Sequence, residues 1–164
     1  MEPSSSLHVA ILTVSDSVTK GVYADRSGPA VAEACRVHGW KVAATAVLPD
    51  EQAKIEGQLR DWADSGAYEL ILTAGGTGIG PRDVTPEATA AVCSKLIPGL
   101  AEEMRRKGLA STPRAVLSRS VVGVRGATLV VNLPGSPKGA AESLAAIATL
   151  LPHAAKIVRG ERHD

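Results

Sequence analysis

Leu70-Ile71-Leu72-Thr73-Ala74-Gly75-Gly76-Thr77-Gly78-Ile79-Gly80-Pro81-Arg82-Asp83-Val84-Thr85-Pro86-Glu87 is the stretch that decides the fold. The run from Glu69 to Thr73 is apolar without polar alternation, the pattern of a strand covered on both faces in a parallel sheet. Four glycines then fall within the six residues Gly75 to Gly80. A helix start follows, with Thr85 as cap, Pro86 at the first helical position and Glu87 in the first turn. Strand, glycine turn and helix in that order form the repeating unit of an α/β protein.

The same alternation runs through the rest of the chain. Leu7 to Val14 and Ala127 to Leu133 are further apolar runs, and Trp40 to Leu48 is a fourth, rich in Val and Ala. Between them lie helical patterns. Ser27 to His38 ends at Gly39. Asp50 to Ser65 carries Ile55, Leu59 and Trp62 on one face, has Asp50 as a candidate cap and ends at Gly66. Pro98 opens a helix to about Lys107, and Ser136-Pro137 opens one continuous helix to about Arg159, with Leu144, Ile147 and Leu151 along one stripe. Val121 to Val124 turns at Arg125-Gly126 into the last strand, which predicts one antiparallel hairpin. The expected fold is a single three-layer, doubly wound α/β domain over residues 7–160, its sheet mostly parallel. Residues 1–6 are expected to be disordered and 161–164 to form a charged tail.

Composition narrows the function classes. The 164 residues are 45% hydrophobic and 21% charged, so a core can form, and with aromatics at 2% and no Phe that core must be Ala, Val, Leu and Ile. The net charge of +1, with acids and bases interspersed, argues against a nucleic-acid partner. Arg105-Arg106-Lys107 follows Glu102-Glu103 and reads as the basic end of a helix. Cys35 and Cys93 sit in Ala/Val-rich stretches and read as small apolar residues. Met1 to Ser6 lacks a basic region followed by an apolar stretch, and no apolar run approaches membrane-spanning length. The expectation is a cytoplasmic protein with no membrane partner.

In doubly wound sheets ligands sit beyond the carboxyl ends of the strands. The segments there are Ser15-Asp16-Ser17, Pro49-Asp50-Glu51, Gly75 to Asp83, and Asn132-Leu133-Pro134-Gly135-Ser136-Pro137. The glycine loop lets backbone approach a ligand and turn N–H groups toward it, and the helix opening at Thr85 adds its positive dipole end, so a phosphorylated small molecule is the expected ligand. The loop is no Walker A, because no Gly-Lys-Ser/Thr follows, and Pro81 stands where a dinucleotide fingerprint needs its third glycine. Arg82 is a candidate phosphate cation. Asp50 and Asp83, on neighbouring loops, are candidate ligands for Mg²⁺ in phosphoryl or nucleotidyl transfer; the simpler roles are a helix cap for Asp50 and a partner of Arg82 for Asp83. Ser118-Arg119-Ser120 reads equally as an anion site or as exposed strand residues. The histidines, at 8, 38, 153 and 163, have no ligand spacing, and no Ser occupies a nucleophile elbow.

Thr73 to Gly78 followed by Pro81-Arg82-Asp83-Val84-Thr85-Pro86-Glu87-Ala88 resembles the signature of the MogA/MoaB-like molybdopterin adenylyltransferases, a family that includes the matching domains of gephyrin and its plant counterpart. Thr13 to Ser17, Asp25 to Pro29, Leu48 to Glu51, Leu117 to Ser120 and Asn132 to Gly135 extend the resemblance in order over about residues 7–160. It implies a reaction in which ATP and molybdopterin give adenylyl-molybdopterin and pyrophosphate, with the product passed to a molybdate-inserting protein. It implies catalytic roles and Mg²⁺ binding for Asp50 and Asp83. It also implies substrate contacts from Ser15, Asp16, Gly75, Gly76, Thr77, Gly78, Arg82, Ser118, Arg119, Asn132, Pro134, Gly135 and Ser136, and a homotrimer. Ser136 departs from the Asn or Gln common in relatives. Some binding-only relatives lose the Arg-Asp pair that this chain keeps as Arg82-Asp83.

Overall fold

A computed structural model describes residues 6–161. In chain order the elements are β1 (His8–Val14), α1 (Asp16–Thr19), α2 (Ser27–Val37), β2 (Lys41–Leu48), α3 (Gln52–Asp64), β3 (Leu70–Ala74), α4 (Thr85–Val92), β4 (Lys95–Leu96), α5 (Pro98–Gly108), a 3₁₀ turn (Pro113–Leu117), β5 (Val122–Arg125), β6 (Thr128–Leu133), α6 (Pro137–Ile147), a second 3₁₀ turn (Ala148–Leu150) and α7 (Leu151–Val158). The sheet order is β2-β1-β3-β6-β5-β4. β2, β1, β3 and β6 are parallel, and β5 and β4 add antiparallel pairs at one edge. The chain leaves β1 toward β2 on one side and returns to β3 on the other. The order therefore reverses between β1 and β3, where such sheets open a crevice.

The apolar strand runs divide by alternation between two cores. Val9 and Ile11 of β1, Leu70 and Leu72 of β3, and Leu129 and Val131 of β6 face a layer of α2, α5, α6 and α7, where Val31, Cys35, Met104, Leu144 and Ile147 meet them. Ala10, Leu12, Ile71 and Val130 face α3 and α4, through Ile55, Leu59, Ala88 and Val92. The fold is the expected three-layer α/β domain. Gly39 and Gly66 end α2 and α3 at φ +76° and +73°, the left-handed backbone that lets a helix stop.

Several local expectations are corrected. The long last helix is broken by the 3₁₀ turn at Ala148–Leu150, with Pro152 in the first turn of α7, where its missing N–H does no harm. The stretch Pro137–Val158, 22 residues long, passes a length-and-composition test for a membrane span, its most apolar 18-residue window having a mean hydropathy of 1.2. Its stripe of Ala140, Leu144, Ile147, Leu151 and Ala155 is buried in the core instead. β4, α1 and the Pro113–Leu117 turn were not foreseen; each is too short for its periodicity to register. Of the ends expected to be loose, only Ser6 and Glu161 are described, and both are tied: Ser6 Oγ donates to the Gly39 carbonyl at 2.8 Å, and Glu161 pairs with Arg159 at 3.1 Å.

Candidate functional site

The loops beyond β1, β2, β3 and β6 converge as expected. Gly75 (φ +107°) passes so near the end of β1 that a Cβ there would strike the Val14 carbonyl, and its own N–H donates to Leu133 O at 3.0 Å. The glycine loop is thus seated between β1 and β6, and only glycine fits. Gly76 (φ +71°) is enclosed by Thr85 and Asp50: a Cβ on it would overlap Thr85 Oγ1 and stand 3.1 Å from Asp50 Oδ1.

Two hollows flank this loop. One, of about 620 Å³, opens at the β1/β3 reversal and is lined by Ser15, Asp16, Tyr23, Asp25, Asp50 and Gly75 among others. The other, of about 520 Å³, is lined by Thr77, Gly78, Ile79, Leu117, Ser118 and Ser136 among others. Gly76, Asp83 and Gly135 line both. The first is rich in carboxylates; the second mixes apolar side chains with hydroxyls.

The three aspartates are held differently. Asp16 and Asp50 clamp each other: the Asp16 N–H donates to Asp50 Oδ2 at 2.9 Å and the Asp50 N–H to Asp16 Oδ1 at 3.0 Å. Arg82 then grips Asp16 with two bonds, Nε to Oδ2 at 3.0 Å and an Nη to Oδ1 at 3.1 Å, so the loops after β1, β2 and β3 are tied together. The guanidinium, helped by the Asp50 N–H, holds the Asp16 carboxyl down at about 2. Asp50 is pushed the other way, chiefly by burial and then by the charges of Asp16 and Asp83, against the Asp16 N–H. Asp83 accepts the Gly80 N–H at 2.9 Å and closes the turn at the end of the loop.

These bonds correct three expectations. Asp50 does not cap α3: Glu51 takes that position without a side-chain bond, because the Asp50 carboxylate is taken by the Asp16 amide. Arg82 pairs with Asp16 and not with Asp83, and it lines neither hollow. Thr85 does not cap α4: Val84 stands at the cap, and the Thr85 hydroxyl is the single buried side-chain polar atom without a hydrogen-bond partner among the described residues.

Two other expected contact residues work from behind. Arg119 donates from Nε to Gly78 O (2.8 Å) and from an Nη to Asp83 O (3.0 Å), and pairs with Glu87 on α4. Its backbone N–H donates to Thr77 O at 2.9 Å, so the glycine loop's carbonyls are satisfied from beneath. Asn132 is fully buried. Its Nδ2 donates to the hydroxyls of Thr73 and Thr89, and its Oδ1 accepts the Val121 N–H. Ser15 lies apart from Ser118: its Oγ accepts Val18 N–H at 3.2 Å as the cap of α1, and it faces the aspartate hollow. Ser118 Oγ meets Ser120 Oγ at 3.0 Å, and Arg105 donates to both their carbonyls, placing this pair in the other hollow. Ser136 caps α6 through Gly139 N–H.

Sequence reasoning missed Asp25, Tyr23 and Arg105 as site residues. Asp25 accepts Thr13 Oγ1 at 2.9 Å and the Gly28 N–H at 3.0 Å, which shapes the floor of the aspartate hollow. The polar character of the loop after the first strand was the available signal for it. No sequence signal marks Arg105, which reaches the site from the far end of α5.

Comparison with known proteins places this geometry. The family model described as "Probable molybdopterin binding domain" matches residues 10–153. The molybdopterin adenylyltransferase of Helicobacter pylori J99 is 38% identical over 157 residues, covering 94% of this chain and 89% of its own length. That of Escherichia coli K12 is 40% identical over 148 residues, covering 85% and 73%. The crystal structure of the molybdopterin biosynthesis enzyme MoaB from Thermus thermophilus is 51% identical and superimposes with a TM-score of 0.89, covering 96% of this chain and 99% of its own.

Proposed function

The chain belongs to the molybdopterin binding domain family, and from that membership we propose that it is a nucleotidyltransferase of molybdenum cofactor biosynthesis, which adenylylates molybdopterin with ATP and releases pyrophosphate. The observation that carries the reading is the shared border of the two hollows. Gly76, Asp83 and Gly135 line both, so substrates seated on either side meet across the glycine loop. The hollow with Ile79, Leu117, Ser118 and Ser136 suits a flat pterin, with apolar walls and few placed hydroxyls. The hollow with Ser15, Asp16 and Asp50 suits the nucleotide.

In the reaction an oxygen of the pterin's terminal phosphate forms a bond to the α-phosphorus of ATP. The bond from that phosphorus to the oxygen bridging toward the β-phosphorus breaks, and pyrophosphate leaves with the electron pair. Two anions must approach, so the protein's task is to orient them and to offset charge. The Gly75 N–H is taken by Leu133 O, so the backbone N–H groups of Gly76 to Gly78 and the N-terminal end of α4 offer the positive charge at the loop. Arg82 fixes Asp16, Asp16 fixes Asp50, and Arg119 keeps the loop in shape from below. No side chain is needed as a nucleophile.

Among the described residues no group of three or more His, Cys, Asp or Glu is arranged as a ready metal cage. Mg²⁺ in phosphate chemistry needs only one or two carboxylates, its remaining ligands being phosphate oxygens and water. Asp50, whose Oδ1 carries no hydrogen bond from the Asp16 clamp, and Asp83, on the border of both hollows, fit that demand. When bound there, Mg²⁺ supplies charge neutralisation on the ATP phosphates. Residues 7–160 act as one domain, the assembly is a homotrimer, the protein is cytoplasmic, and its product goes to a molybdate-inserting protein.

A second reading, pterin binding without transfer, is supported by the family model's description, which names molybdopterin binding alone. Incubation with molybdopterin and ATP separates the two: pyrophosphate release marks the enzyme, and pterin binding without release marks the binder.

A further inference from the structure

Thr85 is fully buried at the first residue of α4, and its backbone N–H donates to Gly76 O at 3.1 Å. Its hydroxyl donates to nothing and accepts nothing. Buried hydroxyls are nearly always paired, and an orphan destabilises the state in which it stands, which calls for another state that uses it. The hydroxyl faces Gly76 from one side, and Asp50 Oδ1 faces the same point from another. Asp50 Oδ2 is already taken by the Asp16 N–H, so Oδ1 is the nearby acceptor with capacity to spare. Between them stands a residue with no side chain and a left-handed backbone, next to a second such glycine, so no Cβ separates the two oxygens.

We propose that Thr85 is a positioning residue for Asp50: its hydroxyl is held idle in the free protein and donates to Asp50 Oδ1 once the glycine loop has taken up the substrate phosphates. The bond fixes the carboxylate's second oxygen, as the Asp16 amide fixes the first. The inference rests on the placement of the reaction at the glycine loop. A threonine is suited to the task because its branched side chain is stiff at χ1, and here it presents the hydroxyl to Gly76.

The test compares Thr85→Val, which removes the hydroxyl at nearly constant shape, with Thr85→Ser, which keeps it. Without ligand, Thr85→Val should melt at or above the wild-type temperature, by up to about 3 °C, because an unpaired buried hydroxyl has been removed. In adenylyl transfer its kcat should fall about tenfold or more while KM for ATP stays within about threefold, the pattern of an interaction made in the reacting complex. Thr85→Ser should retain kcat within about threefold of wild type. Wild-type kcat in Thr85→Val overturns the proposal. So does a loss in Thr85→Ser as large as in Thr85→Val, which would assign the effect to the methyl group. A ligand-free melting temperature of Thr85→Val well below that of Thr85→Ser also overturns it, since the hydroxyl would then be bonded in the free protein. Absence of transfer in the wild type would count against the proposed function alone, and the ligand-free melting comparison would still judge the hydroxyl.

Discussion

Replacing Gly76 with alanine adds one methyl group to the most constrained point of the site. The backbone there has φ +71°, and an L-residue held in that region loses about 1–2 kcal/mol. The new Cβ would also overlap Thr85 Oγ1 and press on Asp50 Oδ1 at 3.1 Å. Thr85 is fully buried and cannot swing into solvent, so overpacking adds about 1–3 kcal/mol. Together these make about 2–5 kcal/mol, or a fall of about 5–15 °C in melting temperature for a chain of 164 residues. A domain with about 5–15 kcal/mol of stability still folds, and the assay is a thermal scan followed by adenylyl transfer on the folded variant. Turnover should be lost, because the methyl displaces Asp50 and distorts the loop. A double mutant with Thr85→Ala should recover part of the stability, since the clash is removed and the backbone strain remains. Gly57 in the middle of α3 supplies the contrast: a Cβ there meets nothing within 4 Å, so Gly57→Ala should raise the melting temperature by about 2 °C. A Gly76→Ala protein as stable and as active as wild type would refute the reasoning.

Asp16 should contribute stability that is intact above about pH 4 and lost as pH falls toward its folded-state value of about 2. The melting difference between wild type and Asp16→Asn should therefore shrink across that window. Asp50 has the opposite sign, since its folded-state pKa is raised, so its contribution is present at low pH and lost as pH rises through that value. Asp50→Asn, which keeps an acceptor for the Asp16 N–H, should then be as stable as wild type or more so at pH 7 in a thermal scan, even as it loses activity. Gly76→Val should abolish substrate binding in a folded protein, measured by titration with nucleotide and with pterin. The proposed trimer should appear in light scattering at micromolar concentration, and a monomer there would contradict it.

The strands were legible because both faces of β1, β3 and β6 are covered, which forces unbroken apolar runs such as Leu70 to Ala74. The convergence of loops was legible because βαβ connections place the carboxyl ends of the parallel strands β1, β2, β3 and β6 on one edge. What stayed hidden depends on partners distant in sequence. Asp50 was free to cap a helix until the Asp16 amide, 34 residues away, competed for its carboxylate. Arg82 stood beside Asp83 in the chain, yet its guanidinium geometry matched Asp16, 66 residues away. Asn132 looked like a loop contact because Pro134-Gly135 follows it, but it is the penultimate residue of β6 and points into the protein. Thr85 matched the composition of a cap, and only packing shows that Val84 occupies that position.

The central claim, adenylyl transfer across a glycine loop served by Asp50 and Asp83, is tested most directly by pyrophosphate release from ATP in the presence of molybdopterin, measured for wild type, Asp50→Asn and Asp83→Asn alongside pterin affinity. The wild type should release pyrophosphate only when the pterin is present. Each variant should turn over on the order of a hundredfold more slowly or worse while binding pterin within a few-fold of wild type. Pterin binding without any pyrophosphate release by the wild type, or near-normal turnover in both variants, would contradict the account.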